Sequence, residues 1–194
     1  LKKGSFLGEG KPYENVKPVL YYGSSITQGG CASRPDNCYP ALVSKWTNTD
    51  FINMGLSGNA KAEPAFSEYL SSIPCSVFVC DYDHNAPDKA HLEKTHLPLY
   101  LTFRAANPSV PVLFYGNPDP EPPKEALQRK RLIRDTSLYA REHGDENVFS
   151  IDGYSLFGKA DRENCTVDGT HPNDLGFYRM AKAVMKIIAP LLKS

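Results

Sequence analysis

One feature constrains this chain most: short apolar, β-prone runs alternate with longer segments at helical spacing, and the runs end in glycine or small polar residues. Residues 19–22 stop at Gly23, residues 51–54 at Gly55, and residues 112–115 at Gly116. Residues 76–81 and 148–152 read as two further strands. Between them, residues 39–46, 62–70, 89–106 and 124–143 read as helices, and residues 174–192 close the chain as an amphipathic helix. Along that last helix Phe177, Ala181, Val184, Ile188 and Leu191 form one stripe, and Pro108 stops the helix that begins near Lys89. Uniformly apolar strands separated by helices imply a parallel sheet covered on both faces. The expected fold is therefore α/β: a three-layer α/β/α, doubly wound (flavodoxin-like), five-stranded parallel sheet.

The 194 residues suit one domain, and 41% hydrophobic with 11% aromatic residues can bury a full core, which excludes a mainly disordered chain. Lys+Arg and Asp+Glu both number 22, so no basic excess favours a nucleic-acid partner. The longest apolar stretches, 75–80 and 187–192, fall far short of the ~20 residues that span a bilayer, so no membrane span is expected. Residues 1–17, with Gly4, Gly8, Gly10 and Pro12, read as an N-terminal arm or linker, and residues 18–194 as one domain. Starting at Leu1, the chain reads as trimmed or cut from a longer polypeptide, which leaves room for a removed signal peptide and leaves localisation open. The five cysteines show no CxxC spacing, so neither a zinc knuckle nor a thioredoxin-type motif is expected. Cys31 and Cys38 share a polar loop and could bridge in an oxidising compartment.

In open parallel sheets the ligand crevice lies beyond the carboxyl ends of the strands. Four polar clusters fall there: Gly23-Ser24-Ser25-Ile26-Thr27-Gln28-Gly29-Gly30, Gly55-Leu56-Ser57-Gly58-Asn59, Asp81-Tyr82-Asp83-His84-Asn85, and Asp168-Gly169-Thr170-His171-Pro172-Asn173 before the last helix. An acyl-transfer site needs a nucleophile, a base, an orienter for that base, and donors for the oxyanion. Ser25 follows a strand and a glycine, where a tight turn exposes its hydroxyl. Asp168 stands three residues before His171, a spacing that lets the carboxylate hold one ring nitrogen while the other faces Ser25. Gly58 can bring its N–H close to a ligand, and the Asn85 amide is a neutral donor suited to an oxyanion hole.

These blocks resemble the SGNH (GDSL-type) hydrolases, and the resemblance runs from about Val19 to Leu192. The family's Gly-Asp-Ser block stands here as Gly23-Ser24-Ser25, its second-block glycine as Gly58, its third-block asparagine as Asn85, and its Asp-x-x-His as Asp168 and His171. The resemblance implies that Ser25 is the nucleophile, His171 the base and Asp168 its orienter. It likewise implies an oxyanion hole made by the Ser25 N–H, Gly58 and Asn85. Ser24 replaces the usual aspartate, and Asp83 stands where the third block carries glycine, a change that bears on the shape of the acyl pocket. Some relatives carry a β-sandwich ahead of the hydrolase domain, so an upstream domain would fit the start at Leu1.

Other candidates carry less. His84 adjoins Asn85 and, with Arg34 in the loop after Ser25, is a candidate substrate contact. His91, His96 and His143 lie on helices and read as solvated or half-buried, Trp46 as core packing, and Asp119 and Glu121 in the four-proline loop as solvated. Asp81 and Asp83 should share one strand face with His84 pointing away, so no metal site is expected. A flavin-binding domain would use the hydroxyl-rich Ser24–Gly29 loop but leaves Asp168 and His171 unexplained. A phosphate loop lacks its Gly-Lys-[Ser/Thr], and Thr27 breaks the Gly-x-Ser-x-Gly elbow. The expected function is a serine esterase for short acyl esters, acetyl above all, on a small-molecule or carbohydrate substrate, without metal or organic cofactor. The alternatives are a lipid or thioester acylhydrolase or an acyltransferase on the same residues, and a non-catalytic ligand-binding module of the same fold.

Overall fold

A computed structural model describes residues 2–120 and 124–192. In chain order it runs β1 (Asn15–Gly23), α1 (Ser25–Gln28), α2 (Tyr39–Thr47), β2 (Thr49–Gly55), α3 (Pro64–Ser72), β3 (Val77–Asp81), α4 (Lys89–Ala106), β4 (Val112–Tyr115), α5 (Ala126–Glu142), β5 (Val148–Ile151) and α6 (Asp174–Leu191). The five strands form one all-parallel sheet in the order β2-β1-β3-β4-β5.

Alternation along the strands sorts their side chains into two cores. Leu20, Tyr22, Phe78, Cys80 and Phe114 face α3, α4 and α5, meeting Leu70, Leu92, Phe103 and Ile133. Val19, Tyr21, Val79, Leu113 and Tyr115 face α2 and α6, meeting Val43, Phe177, Val184 and Ile188. Both faces of the sheet are thus dry, which is why the strands read as unbroken apolar runs. Trp46 is half-buried at the edge of the second core, edge-on to Tyr178.

Element ends differ from the sequence reading for local reasons. β1 begins at Asn15, because the Asn15 amide bonds the Thr47 carbonyl (3.2 Å) and the Thr49 hydroxyl (3.1 Å) and ties a polar extension to β2 across an irregular register. α3 begins at Pro64, whose ring fixes the first helical φ, while Ala62 sits at φ +53° outside the helix. α4, by contrast, has the expected bounds, Lys89–Ala106, with Asn107 before Pro108 outside the α region (φ −128°, ψ 72°). Residues 2–14 are exposed and carry no helix or strand. Glu121, at the end of the proline-rich loop, lies outside the described residues. All five cysteines are free thiols, so Cys31 and Cys38 are not bridged. Among the described residues no helix is long and apolar enough to cross a membrane.

The sheet order reverses between β1 and β3. Loops leaving neighbouring strands at such a point part in opposite directions and open a crevice.

Candidate active site

Ser25 opens α1 immediately beyond β1. Ser24, fully buried, caps this short helix by accepting the Ile26 N–H (3.2 Å), and Gly29 closes it at φ +93°. The turn needs glycine at Gly23: a Cβ there would lie 1.5 Å from Asp81 Oδ1. Asp81 uses that space to accept from the Thr27 hydroxyl, which also bonds the Tyr39 hydroxyl (3.1 Å). Burial holds the Asp81 carboxyl well above the ordinary carboxylate range. A buried polar knot thus anchors the turn from below and leaves Ser25 half-buried on top.

The Ser25 hydroxyl meets His171 Nε2 at 2.9 Å, and His171 Nδ1 lies 2.7 Å from Asp168 Oδ2. Asp168 Oδ1 accepts the backbone N–H of His171 (2.7 Å) and of Thr170 (3.0 Å), so one carboxylate orients both the ring and the loop that carries it. Those bonds, led by the His171 N–H, lower the Asp168 carboxyl to about 2, and it is ionised wherever an esterase works. An ionised acceptor at Nδ1 places the proton there and leaves Nε2 free to take one from Ser25.

Three N–H donors at the strand ends are unbonded among the described residues: the backbone N–H groups of Ser25 and Gly58 and the Asn85 amide. Gly58 sits at φ +70° in the exposed turn after β2, with open space where a Cβ would be. Asn85 closes a short 3-10 turn, Tyr82–Asn85, after β3. Its Oδ1 accepts the Ala60 N–H (3.2 Å), so its NH2 faces the other way. Arg129 of α5 fixes this turn from behind by donating to the carbonyls of Asp83 (2.6 Å) and Ala86 (3.0 Å).

That turn changes three expectations. Strand alternation ends at Asp81, so Asp83 and His84 line one cavity while Asp81 turns beneath Gly23. Asp119, read as solvated, is 6% exposed: β4 also ends at the crevice, and the loop after it folds inward so that Asp119 Oδ1 lies 3.5 Å from His84 Nε2. The strand-end rule applied to β4 was the signal that would have found it. His96, read as solvated or half-buried, is buried between Tyr82 and Phe114, bonded to the Thr136 hydroxyl (2.8 Å) and lowered to about 3 by burial. Arg34 is exposed and donates to Asn37 Oδ1 (3.2 Å).

Comparison with known proteins narrows the chemistry. Residues 16–189 match the model of the GDSL-like lipase/acylhydrolase family. A protein from Bacteroides ovatus described as a GDSL-like lipase is 33% identical over 95% of this chain and 55% of its own, with a TM-score of 0.81. A salicylyl-acyltransferase from a tetracycline biosynthetic pathway shares the fold at 20% identity and TM-score 0.75, over 90% of this chain and 55% of its own. A family two carbohydrate esterase from Clostridium thermocellum, solved with cellohexaose, shares it at 16% identity and TM-score 0.74, over 96% of this chain and 67% of its own. The chain thus spans about half to two thirds of the length of these structures. Comparison with curated proteins gave no match.

Proposed function

The chain belongs to the GDSL-like lipase/acylhydrolase family of ester-hydrolysing serine hydrolases, and from that premise we propose that it removes short acyl groups, acetyl above all, from carbohydrate esters with Ser25 as nucleophile. The observation that carries this reading is the continuous path from Ser25 Oγ through His171 to Asp168, at 2.9 and 2.7 Å, beside three free N–H donors.

In this mechanism His171 Nε2 takes the Ser25 proton as Oγ attacks the ester carbonyl. The carbonyl oxygen becomes negative and is met by the N–H groups of Ser25 and Gly58 and by Asn85, each such donor contributing roughly 2.7–4 kcal/mol in comparable sites. Protonated His171 then gives its proton to the leaving alcohol, and an acyl group remains on Ser25. Water, deprotonated by the same nitrogen, attacks that acyl group; the bond to Oγ breaks, His171 returns the proton to Ser25, and the acid leaves. Asp168 stays ionised throughout and balances the imidazolium.

An acyltransferase would use the same acyl-enzyme with an alcohol in place of water. Side-chain exposure of 32% at His171 and 49% at Asp168 favours hydrolysis, because the base and its partner are open to solvent. The carbohydrate part of the reading is supported by the shared fold with a carbohydrate esterase and by the charged side chains that line the cavity next to Asn85.

The test is turnover of p-nitrophenyl acetate against longer-chain esters and a panel of acetylated gluco-, manno- and xylo-oligosaccharides, with Ser25→Ala alongside. Expected is Ser25-dependent turnover that falls with acyl length and extends to at least one acetylated sugar. Ser25-independent turnover overturns the nucleophile, and activity on longer esters alone overturns the short-acyl reading.

A further inference from the structure

Beside Asn85 lies a cavity of about 400 Å³ that the triad does not use. Its size falls in the ~300–1,000 Å³ range of small-molecule sites. Its walls are charged: Asp83, Asp119 and Glu125 against Lys124 and Arg129, with His84 between them. Arg129 is committed to the carbonyls of Asp83 and Ala86, and Asp83 Oδ2 to the Asn117 N–H (3.0 Å). Arg129 also pairs with Glu125 (3.5 Å), and counted together the lining's three carboxylates outnumber its two cations, which disfavours an anionic ligand. No aliphatic side chain is among its lining residues, and an acyl chain seated there would lie against charged heads.

Three buried atoms of the lining make no hydrogen bond: Asp83 Oδ1, His84 Nε2 and Asp119 Oδ1. His84 Nε2 and Asp119 Oδ1 face each other at 3.5 Å, an ion pair when the ring is protonated but longer than an ordinary hydrogen bond. Asp119 is held in place through its other oxygen, which accepts from the Asn117 amide (2.9 Å). Burial lowers the His84 ring below its ordinary range, and a neutral imidazole offers one N–H and one lone pair. A hydroxyl is the group that both donates and accepts at one atom, so it can satisfy this pair at once. The cavity also adjoins the reaction centre: His84 precedes Asn85 in the chain and feels the charge of His171, as Asp119 feels that of Asp168.

We propose that this cavity seats the sugar ring of the leaving alcohol, with Asp119 and His84 holding a ring hydroxyl between them. The proposal rests on the carbohydrate-ester reading above and assigns Asp119 and His84 as residues that set substrate preference.

The experiment compares kcat/KM for p-nitrophenyl acetate, which has no sugar, with kcat/KM for the acetylated oligosaccharides, in wild type and Asp119→Asn. The sugar-to-nitrophenyl ratio is expected to fall at least fivefold in Asp119→Asn, through a higher KM on the sugar ester. A smaller change in the ratio, including equal losses on both substrates, overturns the assignment. If Asp119→Asn does not fold, Lys124→Ala on the exposed rim of the cavity reads the same ratio, with a fall of at least threefold expected and anything less overturning the proposal. Wild type active on p-nitrophenyl acetate but on no acetylated sugar would instead overturn the carbohydrate reading and this proposal with it. Wild type active on both, with an unmoved ratio in the variant, overturns the cavity assignment alone.

Discussion

The two halves of the triad are built differently. Ser25 stands on a turn sunk into the core, where the Gly23 backbone, the Thr27 and Tyr39 hydroxyls and the Asp81 carboxyl occupy one another's space. A second clamp works from the side: the Asn53 amide donates to the Thr27 carbonyl (2.8 Å), and Gly55 approaches Gln28 so closely that a Cβ would lie 2.1 Å from its backbone nitrogen. His171 and Asp168 ride instead on a surface loop. A single bridge between Thr166 and Pro172, the Val167 N–H to His171 carbonyl bond (3.0 Å), and the Asp168 carboxylate's own backbone bonds hold that loop. Tertiary packing places the proposed nucleophile, whereas local hydrogen bonding places the proposed base. Substitutions on the first side should therefore act on stability, and those on the second on rate.

The largest effects should ignore this division, because they remove the reacting atoms themselves. Ser25→Ala and His171→Ala are each expected to cut kcat by at least about a thousandfold with melting temperature nearly unchanged, and the double variant to be no worse than either. Additive losses in the double variant would break the claim that the two act as one unit. Asp168→Asn should follow with a loss of about a hundredfold or more in kcat. It cannot supply the ionised acceptor that fixes the tautomer, and its melting temperature should stay close to that of wild type because the loop is exposed.

On the buried side the expected signature is reversed. Thr27→Val removes the hydroxyl that Asp81 accepts from, and leaving a buried carboxyl without that partner costs about 1–3 kcal/mol. Urea unfolding should read that loss, and activity per folded molecule should fall far less than in Asp168→Asn. Equal activity losses in the two variants would erase the distinction between the halves.

A further effect on the buried side concerns pH. His96, buried and lowered to about 3, stays neutral in the fold while the unfolded chain protonates it near 6.5. Its contribution is therefore fully present above pH 6.5 and is lost as pH falls from 6.5 towards 3, by up to about 1.4 kcal/mol per pH unit. The difference in stability between wild type and His96→Gln should shrink over that window. Reading the difference cancels the buried Asp81, Asp83 and Asp119, which are raised and act in the opposite sense. A pH-independent difference would contradict burial of the neutral ring.

What could be read from the sequence follows the same line between local and tertiary causes. Apolar runs ending in glycine announce β1, β2 and β4. Together with the strand-end rule they bring Ser25, Gly58, Asn85 and the Asp168–His171 pair to one edge. Asp119 escaped because a loop rich in proline reads as solvated, and only the path of that loop over His84 buries it. Arg129 escaped because one arginine in a charged helix looks like its neighbours until the turn of Asn85 lies against it. His96 escaped for the same reason: its helix face becomes interior only when α5 covers it with Thr136.

The proposed chemistry depends on Ser25 as a nucleophile activated through His171. Its most direct test is intact-mass and peptide-mass analysis after treatment with a fluorophosphonate, which phosphonylates an activated serine. Expected is one adduct per chain, on the peptide containing Ser25, absent in Ser25→Ala and strongly slowed in His171→Ala. An adduct on a different residue, or labelling of Ser25 at the same rate in His171→Ala, would contradict it.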